Sequence, residues 1–466
     1  MQTPSEIRSP AAASASTHSS VNVAAAEPSF QKLPFFLRWA LDRPVVRIVL
    51  PILGVMLLVS SWMVYVFFST AYVTSIPVES MAWNSDSRLL ALSIRAEKIV
   101  VLDCQKERPV VRHILDAGND SNLIELAWSP DSNFLAGLSY SHTCIYSMAT
   151  GGKVDRFEVS QSKDNVHGLA MWMPDNNLAM MDASKMTFRK YEPLSSGPAV
   201  ATTTVPFPFP MPVPVEETYE GTNMTYMSGT THLCLQPGRR KCLLVEQKKR
   251  GWPSTTIPQN NIYIQDLEKA LGPRSIKITS PPVICSLSAD GKALAMVSLP
   301  DADTDPVPVR IDVLDVDVST EVTRSMAAPP ELLRGYAVDR WGIHYTYRAE
   351  RTHHALTWSS DGKRLAAAFY LNAQGYPYVT HVLMMWWNTE SGALLAHQMI
   401  TLPPRIQFSF MPGPLDRDFD NGSSPMCWSP DLSHLAISME IKCTANAKNL
   451  FQLYAVKAIP APPEAR

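Results

Sequence analysis

The chain has 466 residues, with 41 Lys and Arg against 43 Asp and Glu, so its formal charge is −2. A nearly neutral chain offers no polycationic face, which argues against nucleic acid as a partner. Hydrophobic residues make up 46%, enough for a large core, and 38 Pro against 20 Gly favour strands joined by rigid loops over long helices.

The N-terminal region is unlike the rest of the chain. Residues 1–32 are small and polar without periodicity, which predicts a disordered cytosolic tail. Residues 33–47 form a juxtamembrane segment that contains Arg38, Trp39 and Arg43. Two interpretations of this segment stay open: a short helix at the lipid interface, or an irregular stretch before a membrane span.

Residues 48–69 are expected to form a single transmembrane helix. From Ile48 to Phe68 the chain has 21 residues without a charge, about 32 Å of helix at 1.5 Å per residue. Basic residues precede this span and none follows until Arg88, which predicts a cytosolic N-terminus with the rest outside the cytosol. A cleaved signal peptide is the rival interpretation, but such peptides have shorter basic starts and shorter apolar regions. We therefore expect a single-pass protein of the cell membrane or an endomembrane.

A repeated pattern determines the expected fold. A short apolar strand ends in Trp or Leu, a polar turn with Asp follows in most copies, and a second apolar strand comes next. SMAWNSDSRLLALS and ALTWSSDGKRLAAAF are two copies. The anchor residues that end the first strand recur at intervals of about 44–71 residues, near the length of a propeller blade or longer. They are Trp83, Trp128, Trp172, Leu235, Leu287, Trp358 and Trp428.

The Trp-Ser-Pro-Asp-Ser and Trp-Ser-Ser-Asp-Gly turns resemble those of the WD-repeat β-propeller family, and TolB-like propellers share much of the pattern. The resemblance implies an all-β fold, a seven-bladed propeller of four-stranded antiparallel blades over residues 71–459, before a C-terminal tail at 460–466. The repeated Trp is interpreted as core filler between blades. Such a ring must close on itself. Ala71–Ile76 is the best candidate for the fourth strand of the last blade.

Catalytic and metal-binding motifs are not evident in the sequence. The string from Gly137 to Ser141 lacks the final Gly of a nucleophile elbow. Asp301, Asp303 and Asp305 alternate as in a calcium loop, but Pro306 stands where such a loop needs Gly. We therefore predict no catalytic residues, no metal and no cofactor.

Cys234 and Cys242 flank a predicted turn, Gln-Pro-Gly-Arg-Arg-Lys, and would lie nearly opposite each other on a hairpin. In an oxidising compartment they are a candidate disulfide, provided that their Cα atoms come within about 7 Å. A solitary pair of reduced thiols is the alternative.

The expected function is a non-enzymatic, membrane-tethered scaffold that binds a protein or another ligand outside the cytosol. Alternatives are a propeller enzyme with catalytic groups scattered over loops, and an accessory structural subunit of a membrane complex. The long connections are predicted to share one face, and binding residues commonly lie on such loops. The alternative is that these loops fold down and fill the centre of the ring. The candidate partner-binding residues are their aromatics: Phe207, Phe209, Trp341, Tyr345, Tyr347, Tyr376 and Tyr378.

Overall fold

A computed structural model gives the fold of the chain. The chain consists of two compact units, Met1–Met63 and Val64–Arg466. All the described residues belong to the second unit. The structure describes residues 69–465 except 95, 107, 122, 140–141, 159–169, 174, 183–184, 193–197, 207–213, 220–221, 228–229, 236–240, 248–259, 267–273, 279–281, 299–308, 318–321, 339–353, 374–379, 403–424 and 446–447.

The predicted tail, the juxtamembrane segment and residues 48–68 of the predicted span lie outside this described part. Within it, no helix is both long enough and apolar enough to cross a membrane.

The described residues form seven antiparallel blades, so the predicted all-β propeller is confirmed. Blades 1 to 3 each use four consecutive strands. Blade 1 comprises Val78–Trp83, Leu89–Ile94, Ala96–Asp103 and Val110–Ser121. Blade 2 comprises Leu123–Trp128, Phe134–Ser139, His142–Ser147 and Lys153–Glu158. Blade 3 comprises Ala170–Trp172, Asn177–Asp182, Lys185–Lys190 and Ala201–Pro206.

Blades 4 to 6 repeat this order after a separate hairpin, Pro214–Tyr219 with Thr222–Met227. Blade 4 comprises Thr230–Leu235, Lys241–Gln247, Asn260–Asp266 and Arg274–Ile278. Blade 5 comprises Pro282–Leu287, Ala293–Ser298, Arg310–Asp315 and Val322–Ala327. A short helix, Pro330–Leu333, and an extra strand, Tyr336–Val338, come before blade 6. Blade 6 comprises His354–Trp358, Arg364–Ala373, His381–Asn388 and Leu394–Thr401.

Blade 7 closes the propeller with both ends of the described chain. Its first three strands are Met426–Trp428, His434–Ala445 and Lys448–Pro460. Its fourth strand is Tyr72–Thr74, which pairs with the third so that Tyr72 lies opposite Val456. The prediction that the segment from Ala71 closes the ring is therefore confirmed.

A recurring turn joins the first and second strands, and hydrogen bonds from its own side chains close it. In blade 2, the hydroxyl of Ser129 donates to Asp131 (2.6 Å) and accepts from the N–H of Phe134 (2.8 Å), while Asp131 accepts from the N–H of Asn133 (3.0 Å). The residue after Asp131 adopts a left-handed backbone, which favours Gly. Equivalent residues with positive φ are Ser87, Ser132, Asn176, Gly291, Gly362 and Leu432.

The anchor residues lie where the repeat predicts, each at the end of a first strand. The anchor tryptophans are buried. Four of them also donate their indole N–H to the preceding blade. Each acceptor is the carbonyl of the residue just before that blade's own anchor. The bonds are Trp83 to Cys427 (3.2 Å), Trp128 to Ala82 (2.9 Å), Trp172 to Ala127 (2.9 Å) and Trp358 to Ser286 (2.9 Å).

Trp428 departs from this rule. Its buried indole nitrogen meets no hydrogen-bond acceptor among the described residues, and its ring instead meets Trp386 edge-on, with centroids 5.1 Å apart. Edge-to-face contact is a favourable arrangement of two aromatic rings. The core between blades 6 and 7 therefore replaces a hydrogen bond by an aromatic pair.

One connection and the C-terminal tail contain regular structure that the sequence does not predict. The second and third strands of blade 7 continue as a hairpin as far as Ala445 and Lys448, although their connection lies on the face where long loops are predicted. Their polar sequence hides a regular strand pair because pairing depends on a neighbour and not on apolar alternation. Residues 460–466 include a 3-10 turn, Pro463–Ala465, with Ala461 and Ala465 buried in the core of blades 6 and 7.

Candidate functional site

One face of the propeller, here called the short-turn face, carries the first-to-second turns, which are short in every blade, and the third-to-fourth connections, of which that of blade 3, from Lys190 to Ala201, is the longest. The opposite face receives the other connections. Turns between first and second strands, and between third and fourth strands, lie on the first face. The third-to-fourth turn of blade 6 is closed by backbone bonds between Asn388 and Ala393 (2.9 Å) and between Gly392 and Asn388 (2.9 Å). Connections between second and third strands and between blades lie on the opposite face, as strand alternation requires.

Side chains on the short-turn face link neighbouring blades. Asn84 of blade 1 donates to Ser132 of blade 2 (3.1 Å), and Asn176 of blade 3 donates to Asp131 of blade 2 (2.8 Å). The N–H of Asp431 in blade 7 donates to Ser87 in blade 1 (3.2 Å). These polar groups are used within the propeller, which favours the opposite face for binding.

Acid should weaken these turns. Burial raises the pKa of the Asp131 carboxyl, but the hydrogen bonds donated to it outweigh burial and leave the pKa below its ordinary value. Its contribution is therefore present above pH 4, where the unfolded carboxyl is ionised, and is lost as pH falls through the lower folded pKa.

Asp131→Asn should lower the free energy of unfolding by about 0.5–1 kcal/mol at pH 7, after allowance for solvent screening. The difference from wild type should shrink towards zero below about pH 4. Urea unfolding at several pH values measures it. A difference that stays constant from pH 7 to pH 3 would contradict the role assigned to the carboxylate.

The seven predicted aromatic residues lie outside the described part of the chain, so they stay predictions. The strands from which their loops emerge are described. The segment with Trp341, Tyr345 and Tyr347 begins after Val338 and ends before His354. The segment with Tyr376 and Tyr378 begins after Ala373 and ends before Thr380.

The described residues that flank these two segments lie close together. Val338 pairs with Leu371, and His354 pairs with Phe369, so both ends of the first segment lie along one edge of a single strand. That strand ends at Ala373, where the second segment begins. Two residues of strand span about 7 Å, so the ends of the two segments lie close together. We call this place the blade-6 corner: Tyr336–Val338, Leu371–Ala373, Thr380 and His381.

The blade-6 corner is a firm base for the two segments. The rings of Tyr336 and His381 meet edge-on with centroids 4.9 Å apart, and Nδ1 of His381 lies 2.8 Å from the hydroxyl of Thr380. The N–H of Thr380 donates to the carbonyl of Leu371 (2.9 Å). Burial lowers the pKa of His381, which keeps the imidazole neutral at pH 7. The corner therefore carries no cationic side chain of its own at that position.

The extra strand of this corner was not predicted, because its signal is a difference in strand length that only the structure shows. The first strand of blade 6 has 5 residues and the second has 10, so the second strand exposes unpaired backbone beyond its neighbour. Unpaired backbone at a strand edge can pair with a further strand. Tyr336–Val338 supplies that partner.

Phe207 and Phe209 follow a different strand. They come directly after Pro206, the end of the outer strand of blade 3, and before the hairpin that starts at Pro214. The described strands bring the ends of the two segments that hold the other five aromatics to one corner. The segment with Phe207 and Phe209 does not begin or end there.

The remaining site predictions concern cysteine and metal chemistry. Register pairs Cys234 with Leu243 and Cys242 with Leu235, so the two cysteines lie in neighbouring strands one position out of register. Their side chains lie outside the described part, and the disulfide stays a prediction. Asp301, Asp303 and Asp305 also lie outside it. Among the described residues, no group of three or more His, Cys, Asp or Glu could hold a metal ion.

No family model matches the chain, and no curated protein matches it. Among solved structures, the chain is similar to the β-propeller domain of Cps50 (Swd1) from Myceliophteria thermophila. The two share 13% sequence identity with a TM-score of 0.48, over 84% of this chain and 99% of that domain.

Proposed function

We propose that this protein is a membrane-tethered, non-enzymatic scaffold whose propeller binds a partner protein at the loops of the blade-6 corner. One observation carries the proposal: the two segments that contain five candidate aromatics begin or end beside the last residues of one strand, Arg364–Ala373. A large aromatic side chain on a firmly held loop binds with little loss of conformational entropy.

The use of the short-turn face within the propeller supports partner binding on the opposite face. Polar groups of the short-turn face are used in bonds between blades, whereas the long segments leave from the other face. A rigid scaffold that carries variable loops on one side is a common design for recognition. Propeller architecture alone does not assign the partner.

Affinity capture of the full chain from detergent-solubilised membranes tests this proposal. Trp341→Ala should reduce recovery of the partner by at least about tenfold, as expected for an aromatic hot spot. Tyr376→Ser combined with Tyr378→Ser should cause a loss of similar size, and combining all three changes should add little. Phe207→Ser with Phe209→Ser is the matched control and should have a smaller effect. Equal effects of all variants would contradict a site at the blade-6 corner.

An accessory structural subunit is the second candidate, and one surface favours it. The outer strand of blade 1 exposes Val110, Val111 and Ile114, with Ile114 62% exposed. Among the described residues, the outer edge of this strand has no strand partner. Exposed apolar residues on such an edge strand suit lateral packing against another protein. If Ile114→Lys abolishes capture and Trp341→Ala does not, the side of blade 1 and not the blade-6 corner is the binding surface.

The proposed tether is the helix at residues 48–69. Its support is the 21-residue uncharged run and the basic residues that precede it. The closing strand of blade 7 begins at Tyr72, so the proposed helix and the propeller are separated by very few residues. We place the N-terminus in the cytosol and the propeller outside it.

Protease treatment of intact cells tests this topology. The propeller should be accessible from outside, while an epitope tag at the N-terminus should be protected until the membrane is permeabilised. Protection of the propeller together with cleavage of the tag would reverse the orientation. Release of the whole chain by carbonate would contradict a membrane-spanning helix.

A further inference from the structure

Two free cysteines, Cys104 and Cys427, lie at the seam between blade 1 and blade 7, the blade that contains both ends of the described chain. Cys427 belongs to the first strand of blade 7, and its carbonyl accepts the indole N–H of Trp83 from blade 1 (3.2 Å). Cys104 follows the third strand of blade 1, and its N–H donates to the carbonyl of Arg88 (2.9 Å).

Strand alternation orients Cys104 towards blade 7. Val100 and Leu102 of the third strand pack in one cluster with Ala436 and Val456 of blade 7. Side chains two residues apart point to the same face, so Cys104 continues this row. Both cysteines pack against that same cluster.

The pKa shifts of the two thiols agree with their burial at this seam. Burial raises the pKa of Cys104 to about 12. Burial also raises the pKa of Cys427, and proximity to the Cys104 thiol raises it further. Neither sulfur carries much thiolate at neutral pH once the seam is closed, so the folded pair reacts slowly.

We infer that Cys104 and Cys427 form a disulfide that locks the seam when the propeller folds in the presence of a small disulfide oxidant. The thiolate of one cysteine attacks the oxidant, for example oxidised glutathione, and releases one reduced thiol. The second cysteine then displaces the other half of the oxidant from this mixed disulfide. Two protein thiols are oxidised, and one oxidant disulfide is reduced to two thiols.

The lock would complement the non-covalent closure by the outer strand of blade 7. The crosslink joins the first and last blades, so the loop that it encloses contains most of the described propeller. A disulfide that encloses a long loop stabilises strongly in the chain-entropy account. The inference does not depend on the membrane topology, because the oxidant can be supplied during synthesis in vitro.

The test is cell-free synthesis of the full chain into detergent, with either oxidised glutathione or dithiothreitol, followed by digestion and mass spectrometry without reduction. The oxidised sample should contain a peptide that joins Cys104 to Cys427, and its thermal midpoint should exceed that of the reduced sample by several degrees. Cys104→Ser and Cys427→Ser should each abolish that difference, whereas Cys285→Ser should preserve it.

Two results would overturn the inference. One is a folded, oxidised protein that lacks the joining peptide. The other is a redox-dependent midpoint that persists in Cys104→Ser, which would point to another pair such as Cys234 and Cys242. Cys104 follows the end of a strand, so its variant keeps the test valid if Cys427→Ser fails to fold.

Discussion

Deletion of Ala71–Ile76 is expected to destabilise the propeller by about 3–5 kcal/mol, the largest effect of any short truncation considered. The deletion removes the strand Tyr72–Thr74, whose residues pair in register with the third strand of blade 7. It also removes the buried side chain of Ala71, which packs in the core of blades 6 and 7. A thirteen-residue strand, Lys448–Pro460, would then lose its outer neighbour.

Thermal unfolding of the full chain in detergent, with and without the deletion, measures this effect. Deletion of Pro462–Arg466 is the control, and it should cost less. It is not expected to be silent, because the carbonyl of Ala465 accepts a bond from Arg364 (2.6 Å). Equal losses from the two deletions would show that the outer strand of blade 7 is not the main closure of the ring.

Trp358→Ala is expected to destabilise the propeller by about 3–5 kcal/mol. The indole fills the core between blades 5 and 6 and donates to the carbonyl of Ser286 (2.9 Å). Truncation leaves a cavity among closely packed side chains and removes the partner of a half-buried carbonyl.

Trp358→Leu is the matched control, because blades 4 and 5 use Leu235 and Leu287 at the same position. This change keeps an apolar anchor and should cost about half as much as the Ala variant. Urea denaturation of both variants gives the comparison. If the Leu and Ala variants are equally destabilised, the hydrogen bond and not the packing dominates the anchor.

The repeat made most of the fold predictable because its signals are local. Turn residues such as Ser129 and Asp131 hold the turn within a few positions of the chain, so a short sequence pattern is enough to find it. The Trp and Leu anchors then mark the end of each first strand. Even the weak fourth copy, anchored by Leu235, forms a four-stranded blade. The left-handed backbone of Leu432 could not be predicted from residue type. A buried Leu stands there, where two other blades use Gly.

Non-local pairing accounts for most of what the sequence did not predict. The hairpin that starts at Pro214 and the extra strand Tyr336–Val338 each form by pairing with another strand. The local sequence pattern does not indicate which strand that is. The predicted aromatic residues came from loop composition alone. Only the register around Leu371 brings the ends of two of their segments together, so the blade-6 corner follows from topology and not from any motif.

Site-specific crosslinking tests the central claim, that the blade-6 corner is the binding surface, most directly. Benzoylphenylalanine is placed at Tyr376, in the segment that follows Ala373 of the corner, or at the exposed Ser391 in the short turn on the opposite face of the same blade. Irradiation of full-length protein in native membranes should give a discrete crosslinked species from Tyr376 and none from Ser391. A crosslink from Ser391 alone would place binding on the short-turn face and contradict the account.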